Sequence, residues 1–226
     1  MTPEKTYENV CNMLREYDNA TGNGYAAKVI ARPWEWEHGT IFPFYEAAAK
    51  MLIDARAAMD KKTTPAATVA AVKRMVKAAM AHSNTALHGI FPDRGMFAVC
   101  DGCRFIRLHE DIESLPHLDL TRVKPLDLSK CTPDRSQFTA KIELPTAAEL
   151  KAYIAKVKGI AGKEYYKYSW MITEGIYVNP QYLLDMVQIF QDAKAYITNP
   201  KAPIYFEGEA GEGVLLPVNP HFAKVA

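Results

Sequence analysis

"MFAVCDGCRFIRLHED", residues 96–111, contains the clearest fold signal in the chain. Two apolar runs flank an Asp-Gly pair, which is typical of a tight hairpin turn because it tolerates the positive φ angles that such turns need. The flanking runs therefore predict two antiparallel strands. A third short apolar run at residues 86–91 precedes them, so this part of the chain predicts a meander of strands.

The same stretch contains a Cys-x-x-Cys pair, Cys100 and Cys103. A structural zinc site would need two further ligands. The candidates for these are Cys11, Cys131, His88, His109 and His117, and none forms a second pair at zinc-finger spacing. A thioredoxin-type redox pair would open a helix, whereas this pair lies between predicted strands. We therefore predict a hairpin without metal, and a small zinc-dependent protein is the alternative hypothesis.

Outward from the hairpin, helical patterns alternate with groups of short strands. Amphipathic helices are predicted at residues 65–82, 146–158 and 180–192, the first with Thr64 as its N-cap and Pro65 at its first position. Strands are predicted at residues 138–144, on both sides of residues 173–175, and after residue 193. The charged, proline-rich residues 115–137 predict a long surface connection. This order predicts an α+β domain of two similar halves.

The first sixty residues follow a different pattern. They predict a helix at each end, a short strand at residues 25–31, and an aromatic loop that contains Trp34 and Trp36. Residues 61–65, "KKTTP", predict a short linker. The sequence therefore divides into a helical N-terminal appendage, residues 1–60, and a second domain, residues 65–218.

Composition restricts the classes of function. The chain has 226 residues, of which 49% are apolar, so it can form a substantial core. Its 27 basic and 26 acidic residues give a net charge of +1, so any nucleic-acid binding requires a local basic patch. No run approaches the roughly 18 apolar residues of a membrane span, and the first residues lack the apolar segment of a signal peptide. With four cysteines and no signal peptide, we expect reduced thiols, a cytoplasmic location and no membrane partner.

Two separate patches resemble the bacterial DNA sliding clamp, the beta subunit of DNA polymerase III. In the first, Asp101, Gly102 and Arg104 match the family's Asp-Gly-x-Arg, with Cys100 where Thr is common and Cys103 where His is common. The second patch has three parts. The first is a helix start, which contains Asn179, Tyr182, Leu183, Leu184 and Asp185. It is followed by a corner at Asn199, Pro200 and Pro203, and then by a closing strand at Leu215, Leu216, Pro217 and Val218. The resemblance covers about residues 65–218.

This resemblance implies a DNA-clamp-like domain in which helices pack on antiparallel sheets. It implies a non-enzymatic protein of DNA replication or repair that binds double-stranded DNA, replication or repair proteins, or both, without a cofactor. A complete bacterial clamp has three such domains and closes as a dimer of six domains, whereas this chain has length for about one. Either it forms a homo-oligomer, or it uses the fold for something other than encircling DNA.

Clamp helices present basic side chains to DNA phosphates, a contact that is independent of base sequence. The candidate DNA-binding residues here are Lys73, Arg74, Lys77, Lys151 and Lys158. The alternative is that these residues form an ordinary solvent-exposed helix face with no role in binding. The outer face of the helix at residues 180–192 is expected to carry Asp185 and Asp192, which would repel phosphates.

The resemblance also places Leu216, Pro217 and Val218 where the family binds short peptides from its partners, although the same residues could be a buried edge of the core. No catalytic motif is present, neither a P-loop, a dinucleotide-binding glycine pattern, an HExxH nor a nucleophile–base pair, so no catalytic residue is predicted. The alternative function is an interaction or regulatory module of clamp-like fold that does not encircle DNA, with the N-terminal helices as its partner surface.

Overall fold

The computed structural model describes residues 1–199 and 201–219, with residues 165 and 166 described by their backbone alone. The helices of this part are α1 (Pro3–Thr21), α2 (Ala26–Ala31), α3 (Pro43–Thr63), α4 (Ala66–Met80), α5 (Ala147–Ala161) and α6 (Pro180–Ile189). The strands are β1 (Phe91–Asp93), β2 (Met96–Cys100), β3 (Arg104–Leu108), β4 (Ala140–Ile142), β5 (Trp170–Thr173), β6 (Ile176–Val178), β7 (Lys194–Ile197), β8 (Ile204–Gly208) and β9 (Gly211–Leu215). This mixture of helices and antiparallel strands confirms the α+β class. Within the described ranges, no helix combines the length and apolar character needed to cross a bilayer.

Seven strands form one antiparallel sheet in the order β1-β2-β3-β9-β8-β7-β4, and β5 and β6 form a separate two-stranded sheet. The order of one helix followed by three strands occurs twice, as α4 with β1 to β3 and as α6 with β7 to β9. The two groups meet at the central β3–β9 pair, whose register runs from Arg104 opposite Leu215 to Leu108 opposite Gly211. A pairing between strands so distant in sequence joins both groups into one sheet.

The predicted hairpin at residues 96–111 is present as β2 and β3, with Cys100 opposite Phe105. Gly102 adopts φ 85°, a conformation that glycine tolerates best. The Asp101 carboxylate accepts the backbone N–H groups of Cys103 at 3.1 Å and Arg104 at 3.0 Å. The Asp-Gly pair is therefore required by the geometry of this turn.

The two faces of the large sheet are covered differently. On one face lie α4, α5 and α6, with α6 in contact with both other helices. Their core includes Val72, Met75, Ile106, Leu183 and Phe206. The long connection between β3 and β4 covers the opposite face, where Leu128 and Phe138 pack on Phe105, Tyr205 and Val214. The connection predicted at residues 115–137 therefore acts as a third layer.

The N-terminal helices have a core of their own, formed by side chains that include Leu14, Val29, Tyr45 and Leu52. The strand predicted at residues 25–31 is wrong, since this segment forms α2. The Asp18 carboxylate accepts the Ala26 N–H at 2.5 Å, and Ala26 and Val29 lie three residues apart on one buried face. This packing outweighs the strand preference of a short segment that contains Val29 and Ile30.

The junction between the N-terminal helices and the rest of the chain is shorter than the predicted linker. α3 continues through Lys61 and Lys62 to Thr63, and α4 begins at Ala66. The prediction of Thr64 as the N-cap of α4 is wrong, because Pro65 occupies that position and the Thr64 N–H instead donates to the Asp60 carbonyl at the end of α3. We refer to residues 1–63 as the N-terminal unit.

Candidate nucleic-acid interface

Helix α4 presents a basic surface to solvent. Its buried residues lie on one side and include Val72, Met75 and Val76. Lys73 and Lys77 are exposed on the opposite side, one helical turn apart. The helix contains no acidic residue, so these two ammonium groups have no carboxylate within their own helix.

Helix α5 adds further basic residues. Lys151 and Lys158 are exposed and lie seven residues apart, which places them on the same side of the helix. The one acidic residue of α5, Glu149, belongs to a capping box at the start of the helix. Its carboxylate accepts the Thr146 N–H at 2.7 Å and the Thr146 hydroxyl at 2.8 Å, and these two hydrogen bonds lower the pKa of Glu149. Glu149 therefore stays ionised but is held at the helix end.

The expectation that Asp185 lies on the outer face of α6 is wrong. Its side chain is 0% exposed, and its two carboxylate oxygens lie 2.8 Å from Arg104 Nη1 and 2.6 Å from Arg74 Nη2. Asp192 lies beyond the end of α6 and accepts the Glu209 N–H at 2.9 Å. The carboxylates that argued against phosphate binding are thus either buried in ion pairs or outside the helix.

Positive charge is consequently concentrated on the surface formed by α4, α5 and α6, which we call the helix layer. These helices contain two acidic residues, Glu149 and Asp185, and six basic residues, Lys73, Arg74, Lys77, Lys151, Lys156 and Lys158. Because the whole chain has a net charge of +1, the rest of it carries a net negative charge. The three helices thus carry an excess of four basic residues over acidic ones, in a chain whose net charge is +1.

A buried ion network holds the helix layer on the sheet. Arg104 is 3% exposed, and its Nε lies 2.9 Å from Asp101 while its guanidinium packs over the Tyr182 ring at 4.3 Å. Through Asp185 this network reaches α6, and through Arg74 it reaches α4. It therefore links the β2–β3 turn to two helices of the layer.

The chain matches no protein-family model, no curated protein and no solved structure. Pro200, one residue of the resemblance to sliding clamps, lies outside the described residues. The function therefore has to be inferred from the chain's own surfaces.

The Cys-x-x-Cys pair has little thiolate character. Burial raises the pKa of Cys100 to about 11, and desolvation also raises the pKa of Cys103. Zinc binding and thiol–disulfide exchange both act through the thiolate. Among residues 1–199 and 201–219, no three His, Cys, Asp or Glu side chains are placed to hold a metal ion.

The predicted partner-binding residues connect the two sheets. The Leu216 N–H donates to the Cys103 carbonyl at 3.0 Å, and the Val218 N–H donates to the Tyr177 carbonyl at 2.7 Å. Leu216 is 45% exposed. The following Pro217 and Val218 are half-buried.

The structure adds two residues to this surface that the sequence analysis did not select. Tyr177 pairs with Val218 on one side and with Met171, which is 51% exposed, on the other. We call Met171, Tyr177, Leu216 and Val218 the apolar patch. The alternation of "WMITEGIYV" at residues 170–178 marks Met171 and Tyr177 as strand residues, but the pairing of Tyr177 with Val218 depends on tertiary structure.

Proposed function

We propose that this chain is a non-enzymatic, sliding-clamp-like protein of DNA replication or repair, and that it binds double-stranded DNA through the helix layer. The observation that carries the proposal is the separation of charge. Six basic residues lie in three adjacent helices, and the two acidic residues of those helices are engaged by Thr146 and by two arginines. The basic residues of a nearly neutral chain are thus concentrated in these helices.

Lys73, Lys77, Lys151 and Lys158 are the proposed phosphate contacts. Lysine contacts to phosphate release counterions and do not read bases, so binding of this kind tolerates any sequence and permits sliding. Helix α6, the central helix of the layer, does not repel phosphates. Its Gln181 and Gln188 are neutral, and both lie beside the Asp185–Arg74 pair. Arg74 itself is committed to Asp185, so we assign it to positioning α4 against α6.

Double charge reversal tests this proposal. In the variant K73E/K77E, we expect duplex affinity to fall and the slope of log affinity against log salt to decrease by about 2, since each phosphate contact contributes about 0.9. The matched control is K50E/K201E, which makes the same charge change at exposed lysines outside the helix layer. Equal losses of duplex affinity in the two variants, or an unchanged salt slope in K73E/K77E, would show that the helix layer does not bind DNA.

The repeated order of one helix and three strands, with α4 and α6 side by side on one sheet, supports a clamp-like architecture. Because the chain has length for about one clamp-like domain, a ring would require self-association. Light scattering with and without a DNA duplex measures this. A closed oligomer of about six copies supports a ring, and a monomer that ignores DNA contradicts it.

The second candidate function is a protein-interaction or regulatory module of clamp-like fold that does not encircle DNA. The exposed apolar patch favours it, because Met171 and Leu216 both expose large apolar side chains. The Met171–Tyr177 and Tyr177–Val218 pairs connect the segments that carry them. A monomer with no DNA affinity, whose binding to a replication or repair protein is lost in M171E/L216E, would establish this function instead.

A further inference from the structure

A cavity of about 510 Å³ lies between the N-terminal unit and residues 111–121. The N-terminal unit contributes Arg32, Trp34 and Arg56 to its walls, and the opposite wall includes His117 and Leu120. The volume is in the range of small-molecule sites, which often occur where two structural units meet. No residue of α4, α5 or α6 lines the cavity, so it is separate from the helix layer.

Both walls of the cavity are held by hydrogen bonds and ion pairs. Arg32 Nη1 lies 2.7 Å from Asp119. The Asp60 carboxylate accepts the N–H groups of Glu113 at 3.2 Å and Ser114 at 3.1 Å. On the far side, the Leu118 N–H donates to the Ile90 carbonyl at 2.8 Å, which ties this wall to the segment that leads into β1. Contacts within the chain therefore hold both walls of the cavity.

Arg56 is a cation without an anionic partner in this cavity. Its Nη2 donates to the Tyr7 hydroxyl and to the Ile30 carbonyl, both at 2.9 Å, and its Nη1 donates to the Glu113 backbone carbonyl at 3.4 Å. All three acceptors are neutral. Its Nε is buried and has no hydrogen-bond partner, and no carboxylate of the described residues forms an ion pair with it. A half-buried guanidinium with neutral partners favours the approach of an anion.

Arg32 and His117, which also line the cavity, each contact a carboxylate. Arg32 pairs with both Glu35 and Asp119. His117 lies 2.9 Å from Asp111 through its Nε2. The lining also contains the carboxylates of Asp111, Glu113 and Asp119. Arg56 is the arginine of the lining that no carboxylate of the described residues pairs with, so it is the group that would receive an anion.

An aromatic pair forms another part of the lining. The rings of Trp34 and His117 have centroids 5.6 Å apart and are inclined by 33°. Leu120, which is 50% exposed, also lines the cavity. A flat apolar group would gain contact area against these side chains.

We propose that this cavity binds a small organic anion, a carboxylate or phosphate joined to a flat ring, with the anion at Arg56 and the ring against Trp34. A ligand bound there contacts both the N-terminal unit and the rest of the chain. It therefore stabilises their association as well as the fold.

Thermal unfolding of the full chain in low salt tests the proposal with four probes, which are phenyl phosphate, benzoate, inorganic phosphate and benzyl alcohol. We expect millimolar phenyl phosphate or benzoate to raise Tm by several degrees, because a ligand that binds only the folded state stabilises it. Inorganic phosphate should have a smaller effect and benzyl alcohol none. The order of phenyl phosphate and benzoate shows which anion the site prefers.

Two variants assign the effect to the cavity. Arg56→Gln should abolish the rise in Tm, whereas Arg15→Gln, at an exposed arginine of α1 outside the cavity lining, should retain it. Because Arg56→Gln could weaken the fold itself, Trp34→Leu provides a second test and should reduce the rise produced by both aromatic anions.

The proposal is overturned if Arg56→Gln keeps the full rise, if benzyl alcohol stabilises as well as benzoate, or if neither aromatic anion raises Tm. Since no DNA is present, these outcomes do not bear on the helix layer. Conversely, loss of DNA binding in K73E/K77E leaves the cavity proposal untouched.

Discussion

Asp185 is the residue through which α4, α6 and the β2–β3 turn are connected. Asp185→Asn should destabilise the fold by about 3 kcal/mol, because it leaves the buried Arg104 with one fewer anionic partner. Arg74→Ala should cost about 1 kcal/mol or less, because the Arg74 side chain is 42% exposed and solvent screens its pair. Urea unfolding of both variants measures the difference. A larger cost for Arg74→Ala would show that the network is not centred on Asp185.

Because of Cys100, the stability of the fold is expected to decrease at alkaline pH. Burial raises its pKa from 9.0 to about 11, so its contribution is fully present below pH 9 and is lost as the pH rises through 11. We expect Tm to fall over this window, and Cys100→Ala to flatten part of the fall. The matched control is Cys131→Ala, at an exposed thiol. An identical pH profile for Cys100→Ala and wild type would show that burial of this thiol contributes nothing.

Among the elements, the β3–β9 pair determines whether the two groups of strands form one sheet. Gly211 adopts φ 141°, and a Cβ atom there would lie 2.0 Å from the Arg107 carbonyl oxygen. Gly211→Ala should therefore separate the strands and cost more than about 3 kcal/mol.

Gly175→Ala is the control at the turn between β5 and β6. Gly175 also has a positive φ, 74°, but no atom lies within 4 Å of its Cβ position, so we expect a cost of about 1 kcal/mol. Circular dichroism during thermal unfolding compares the two variants. Equal costs would mean that backbone conformation alone, and not the close approach to β3, requires Gly211.

Local signals predicted most helices because those signals act within a few residues. Thr2 caps α1 by accepting the Lys5 N–H at 3.3 Å, and Asn179 caps α6 in front of Pro180. The α2 helix was missed, because it depends on Asp18 and on a core that other helices supply. Short elements of this kind are decided by packing more than by intrinsic preference.

At the scale of the whole molecule, Asp60 attaches the N-terminal unit to the rest of the chain. It is 5% exposed and accepts two backbone N–H groups of the 111–121 segment. Asp60→Ala should leave both donors without this partner and loosen the attachment. We expect faster hydrogen exchange at residues 111–121 and easier proteolysis near residues 63–65.

The control for this attachment is Asp54→Ala, at an exposed position of the same helix. It should leave exchange at residues 111–121 unchanged. Similar acceleration in the two variants would show that Asp60 acts only through the stability of α3.

The sequence by itself determined the α+β class, the β2–β3 hairpin and the boundaries of α4, α5 and α6 to within a few residues. Caps, prolines, glycines and apolar periodicity act locally, so they can be recognised without knowledge of distant contacts. The basic residues of α4 and α5 were also evident, because exposure follows from helical periodicity.

Only the tertiary structure decided which of these residues share a surface. The burial of Asp185, which changes the charge of the helix layer, depends on Arg104, 81 residues away. The β3–β9 pairing and the cavity at Arg56 likewise join segments that are far apart in the chain. Such contacts are stabilised by burial and ion pairing between segments that are distant in the chain. They form only when the whole domain folds, so no local sequence pattern predicts them.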